Sequence, residues 1–157
     1  MNIKQVLVIG FGVILGTVGL SAVVSNYTNH FVEQSQHWVL HTYGVQIRLK
    51  NIETNLLEAE TGQRGFIYTG DEIFLEHYNW STQNINSEWA ILEDLVADNP
   101  QQIINLQNLK KLSEQKNDEL GETIQLKRLG KEEELWQLVK SRKGQIIMNN
   151  IEVESLR

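Results

Sequence analysis

Residues 6–24 read VLVIGFGVILGTVGLSAVV, an apolar run without one charged side chain. At about 1.5 Å of rise per residue it makes a helix of roughly 28 Å, the thickness of a bilayer's hydrocarbon core. Twelve of its positions are Val, Leu, Ile or Phe, and together they favour insertion by about 4 to 7 kcal/mol. Four glycines, Thr17 and Ser21 offset part of that. A cleaved signal peptide is the other reading, but its apolar core usually runs to about 7–15 residues. The expectation is a retained anchor, with residues 1–25 as cytoplasmic N-terminus and transmembrane helix. Lys4 precedes the run, and no Lys or Arg follows it before Arg48. The positive-inside tendency then keeps the N-terminus in the cytoplasm and sends residues 26–157 outside.

The exported part is long enough for one domain with a real core. The chain has no cysteine, so packing alone must hold it. With 14 Lys and Arg against 20 Asp and Glu its net charge is −6, which speaks against nucleic acid as a partner. A single proline and few glycines beyond the anchor leave a helical composition.

Helical periodicity dominates. Phe31, Trp38, Val45, Ile52, Ala59 and Phe66 recur every seven residues, with a companion stripe at Ser35, Thr42, Leu49, Leu56 and Gln63. Two such stripes describe a bundle seam. This first helix runs on from the anchor and should end near Gly70, which suits a left-handed C′ position. Asp71, or Thr69 with Glu72, can cap the next helix, whose face is Phe74, Tyr78, Ser81, Ile85, Trp89, Leu92 and Val96. Asn99-Pro100 marks a cap followed by a first-turn proline. A third helix reads from Pro100 to about Leu129, with a polar gap around Ser113 and Asn117, and Gly130 ends it. A fourth begins near Glu132 and is expected to be interrupted at Gly144. The fold class expected is all-α: an N-terminal transmembrane helix followed by an up-down-up-down four-helix bundle.

The segment LLEAETGQRGFIYTGDEIFLEHY, Leu56 to Tyr78, resembles the signature of the third type of CHASE domain, the cyclase/histidine-kinase-associated sensory extracellular domains. His41-Thr42 with Val45, Glu122-Thr123-Ile124 with Arg128-Leu129-Gly130, and Lys143-Gly144 with Met148 and Ile151 are similar to further pieces of that family. The resemblance implies an extracytoplasmic helical bundle between two membrane helices, serving as signal input to a sensor kinase, a diguanylate cyclase or a chemoreceptor-like protein. It also implies a second membrane helix and an output module beyond Arg157. The alternative is a stand-alone anchored bundle that binds a receptor or envelope partner.

Candidate motif and relay residues are Glu60, Thr61, Gly62, Gln63, Arg64, Gly65, Gly70, Asp71 and Glu72. Glu60 and Arg64 stand i, i+4 with the acid first, a helical ion pair that is expected to lie at the bundle tip or in a helix–helix seam. Gly62 and Gly65 then read as positions of close approach, because glycine inside a helix costs about 1 kcal/mol against alanine. Gly12, Gly16 and Gly19 put small residues on one face of the anchor, a packing surface for a second membrane helix, and a homodimer is expected. Glu33, His37 and His41 share a face at i+4 steps, but a solvated helix surface explains them better than zinc. Neither metal nor cofactor is expected. No nucleophile–base set, phosphate-cradling loop or HExxH motif occurs, so the chain reads as a non-enzyme. Of the four tryptophans, Trp38 and Trp89 fall on apolar stripes and are expected in the core, while Trp80 falls off them. The sequence does not name the stimulus.

Overall fold

The structure, a computed structural model, describes residues 2–155, apart from the side chains of residues 5, 6, 8, 29–31, 33–35 and 37. Phe31, Ser35, Glu33 and His37 of the expected stripes and face have side chains outside the described residues, as does Leu156 altogether. Five helices follow in order: α1 (Ile3–Thr69), α2 (Phe74–Leu95), α3 (Pro100–Arg128), α4 (Glu132–Lys140) and α5 (Lys143–Ser155). No strand occurs among the described residues. The fold is all-α, as the periodicity requires. The chain forms two compact units, Met1–Thr42 and Tyr43–Arg157.

The first unit is a single stretch of helix. Its segment Ile9–Thr28 is long and apolar enough to cross a membrane. Three hydroxyls there bond back to the helix's own carbonyls: Thr17 to Ile14 at 2.8 Å, Ser21 to Val18 at 2.9 Å and Thr28 to Val24 at 2.8 Å. Such bonds satisfy the hydroxyls without water. A Cβ added at Gly12, Gly16 or Gly19 meets nothing within 4 Å. Trp38, expected in the core, is 61% exposed and meets the ring of His41 edge-on at 6.4 Å. Periodicity tells which face a side chain shares, but burial needs a neighbouring helix, and this unit contains none.

In the second unit the partners' numbers give the directions of the helices. Arg48 pairs with Glu88 and Asn55 with Asn84, while Gly62 lies against Tyr78, so α1 and α2 are antiparallel. Trp89 donates to Ser113 and Lys110 pairs with Glu93, so α2 and α3 are antiparallel. Lys127 pairs with Glu132, and Glu122 faces Lys143, which turns the chain back once more. The C-terminal part of α1, then α2, α3 and the α4–α5 pair make the up-down-up-down bundle.

Burial along α1 follows the seven-residue stripes from Ile52 through Leu56, Ala59 and Gln63 to Phe66. Ile52 and Leu56 pack with Ile85, Trp89 and Leu92 of α2, Leu106 and Leu109 of α3, and Ile147, Met148 and Ile151 of α5. A smaller cluster of Phe66, Leu75 and Ile124, flanked by Tyr78, closes the other end. Trp80 is exposed, as its position off the stripe requires.

The turns obey local chemistry. Gly70 takes φ +74°, and its N–H donates to Phe66 at 2.7 Å. The Asp71 carboxylate then accepts from the Ile73 N–H at 3.0 Å, leading into α2. The Asn99 side chain accepts from the N–H groups of Gln101 and Gln102, with Pro100 at the first helical position. Gly130, φ +68°, closes α3 in a Schellman arrangement: Lys131 N–H donates to Leu126 and Gly130 N–H to Lys127. One expectation is corrected. The last helix breaks at Ser141-Arg142, where Arg142 has φ +58°, and not at Gly144, which is buried inside α5.

Leu56 is fully buried at the centre of the larger cluster. Leu56→Ala should cost about 2–5 kcal/mol of unfolding free energy, measured by denaturant titration of the purified chain. A loss under 1 kcal/mol, roughly the surface range, would show that this layer is not the core.

Candidate functional site

The α3 residues Leu106, Leu109, Ser113, Lys116, Leu120 and Thr123 recur at alternating three- and four-residue steps and are all buried. Lys116 therefore stands on the core stripe itself. Its side chain is 2% exposed, and a buried ammonium is costly unless paired. Nζ lies 2.9 Å from Glu60 Oε2 on α1 and 3.1 Å from Glu119 Oε2 one turn on. The other oxygen of Glu60 pairs with Arg64. Two carboxylates and two cations make a neutral group, with Glu60 as its bridge between α1 and α3.

Room for this group comes from α5. A Cβ at Gly144 would lie 2.7 Å from Lys116 Nζ and 2.9 Å from Glu119 Cδ. Only a residue without a side chain lets α5 come this close to the charges. One turn above, Gln63 donates from Nε2 to Thr123 Oγ1, a buried bond that ties α1 to α3 again.

Beside the charges opens a cleft of 360 Å³ bounded by α1, α3, α4 and the start of α5. Ile67 and Leu120 supply apolar wall, and Tyr68 and Trp136 meet at 6.3 Å between ring centroids. Arg64 and Arg142 also line it.

A second ionic contact sits at the turn. Arg128 grips Glu72 with two bonds, Nε to Oε1 at 2.9 Å and Nη2 to Oε2 at 2.6 Å. Its guanidinium also lies 5.7 Å from the centroid of the Phe66 ring. The hydrogen bond from Arg128 holds the Glu72 carboxyl below the usual carboxylate value, and the same bond raises Arg128. Burial, then the charge of Asp118, raises the Tyr78 phenol.

The signature residues thus fall into different places. Glu60 and Gln63 bond to α3. Arg64 is 69% exposed and pairs within its own helix. Thr61 is exposed and bonds back to Leu57. Gly62 and Gly65 face α2: a Cβ on Gly62 would lie 2.6 Å from the Phe74 carbonyl, and one on Gly65 2.7 Å from Phe74 Cγ. Gly70 and Asp71 shape the turn, and Glu72 reaches Arg128. The sequence reading did not single out Lys116, Glu119 or Gly144 for this group. The heptad spacing of α3 was the available signal, since it puts Lys116 and not Asn117 on the stripe. Among the described residues no cluster of His, Cys, Asp and Glu could hold a metal ion.

The CHASE3 domain family model matches residues 35–156. The chain belongs to the CHASE3 domain family. A solved structure, the sensor domain of histidine kinase HK9 from Rhodopseudomonas palustris, is similar to it with a TM-score of 0.64. The two are 26% identical, and the match covers 71% of this chain and 87% of that one. No curated protein matches the chain. The family and this neighbour support a sensory input module for the CHASE3 chain.

Removing the ammonium of this CHASE3 domain leaves the buried Glu119 carboxylate without its cation and Glu60 with Arg64 alone. Lys116→Ala should cost about 3–5 kcal/mol of unfolding free energy, while Arg64→Ala, which frees an exposed helical pair, should cost about 0.5 kcal/mol or less. Equal losses in denaturant titrations would remove the buried group as the main tie. The Glu72–Arg128 contact has its own pH signature. Because the folded carboxyl titrates below its ordinary 4.5, its contribution is complete above that value and disappears as pH falls through the folded pKa. Arg128→Gln should therefore flatten stability against pH in that acid window, and an unchanged profile would show that the contact contributes nothing.

Proposed function

We propose that this CHASE3 domain is the extracytoplasmic input module of a bacterial membrane receptor of the sensor histidine kinase type. Residues 1–25 are its cytoplasmic N-terminus and transmembrane helix, and residues 26–157 its sensory bundle. The observation that supports this is the order along one helix. An apolar span at Ile9–Thr28 is followed directly by a family match that starts at residue 35, and α1 carries both. The receptor works as a homodimer, with Gly12, Gly16 and Gly19 at the contact between membrane helices. A stimulus biases one of two bundle packings, and α1 carries the change to the membrane. Glu60, Gln63, Arg64, Asp71 and Glu72 are the relay residues on this reading. Lys116, which holds Glu60, joins them.

The natural chain has no cysteine, so single cysteines report topology cleanly. Thr61→Cys, at an exposed site, should react with a membrane-impermeant maleimide on intact spheroplasts. Asn2→Cys should react only after the cells are lysed. The reverse pattern would place the bundle in the cytoplasm and end the receptor reading.

A further inference from the structure

The cleft beside Lys116 has a charge left over. Its two carboxylates, Glu60 and Glu119, are both committed to Lys116, and Glu60 to Arg64 as well. Arg142 lines the same cleft and takes part in no ion pair among the described residues. It also stands in the left-handed region at φ +58°, a conformation that strains an arginine and leaves a glycine unstrained. A break between α4 and α5 could have been made by glycine or asparagine. Instead an exposed arginine stands at strained backbone beside a cleft whose lining includes Ile67, Leu120 and the Tyr68–Trp136 pair.

We propose that this cleft binds a small organic carboxylate with an aromatic or branched apolar body, its carboxylate on Arg142. The inference deepens the sensory reading above and rests on it. The volume of 360 Å³ lies at the small end of the range for ligand pockets, about 300–1,000 Å³, and suits a single ring with a short chain. A neutral or cationic analogue gains nothing from the unpaired guanidinium and leaves it desolvated. Bound there, the carboxylate competes with Glu60 for Arg64. Occupancy is then felt on α1 at the residue that holds Lys116, and at the same time on the α4–α5 turn. That is the differential contact a ligand needs if it is to shift a packing equilibrium.

The test is calorimetric titration of the full chain in nanodiscs with 3-phenylpropanoate and with its neutral amide. The carboxylate should bind saturably, and the amide at least about tenfold more weakly. Arg142→Asn keeps a residue that tolerates φ > 0 and removes the charge. It should weaken the carboxylate about tenfold while leaving the melting temperature unchanged or higher. Arg142→Lys should retain most of the affinity, and Lys111→Gln, on an exposed residue of α3 outside the cleft, all of it. No saturable binding, equal binding of acid and amide, or an Arg142→Asn variant that binds as the native chain does would each overturn the proposal. None of these results touches the maleimide pattern, so the ligand class and the receptor topology fail separately.

Discussion

Lys116 is the residue around which the second unit has to be built. An ammonium on a core stripe is tolerable only where carboxylates meet it at bonding distance, and the two that do come from different places: Glu119 from its own helix, Glu60 from α1. The first holds the ammonium within its own helix. The second favours one register of α1 against α3, because a slide of one helical turn, about 5.4 Å, would take Glu60 away and leave the buried ammonium with Glu119 alone. Gly144 adds the third constraint, since α5 can close over the charges only where it has no side chain. A polar layer between two apolar clusters thus fixes three helices relative to one another, which hydrophobic contact alone, being non-directional, does not do.

The fourth helix is placed by different means. Gly62 and Gly65 let α2 come down onto α1 at Phe74, with backbone and ring where a Cβ would otherwise stand. At the far end of the pair, Glu88 on α2 takes bonds from Arg48 and Asn51. The signature segment is therefore two-faced. Its glycines serve the α1–α2 contact, and its Glu60 and Gln63 serve the contact with α3. Arg64, the residue that looks most like a seam former in the sequence, stays at the surface.

Much of this was legible in the residues themselves, and the division is physical. Asn99-Pro100, Gly70 and Gly130 announce helix ends because capping and left-handed backbone are local chemistry. The stripe from Ile52 to Phe66 is legible because α-helical geometry alone decides which side chains share a face. What could not be read locally depended on partners far along the chain. Glu60 and Lys116 meet only because α1 and α3 run parallel, and nothing in either segment records the other. Trp38 continued the stripe into a stretch with no neighbouring helix to cover it. Gly144 looked like a breaker because glycine usually is one, yet its place is set by the charges it makes room for, and the break moved to Arg142.

That displacement bears on how such a module could switch. Sliding α1 along α3 is opposed by the loss of Glu60 from the buried Lys116. Exchanging partners is not, because Glu60 already shares itself between Lys116 and Arg64, and trading one of these for a second anion near Arg64 keeps every buried charge matched. The low-energy motions of this layer are therefore re-pairings at its exposed edge, where Arg64 and Arg142 line the cleft. Within the sensory role proposed, the favoured response is a change in which charges α1 shares with its neighbours, accompanied by a rotation small enough to keep Ile52 and Leu56 in the core, rather than a slip in register.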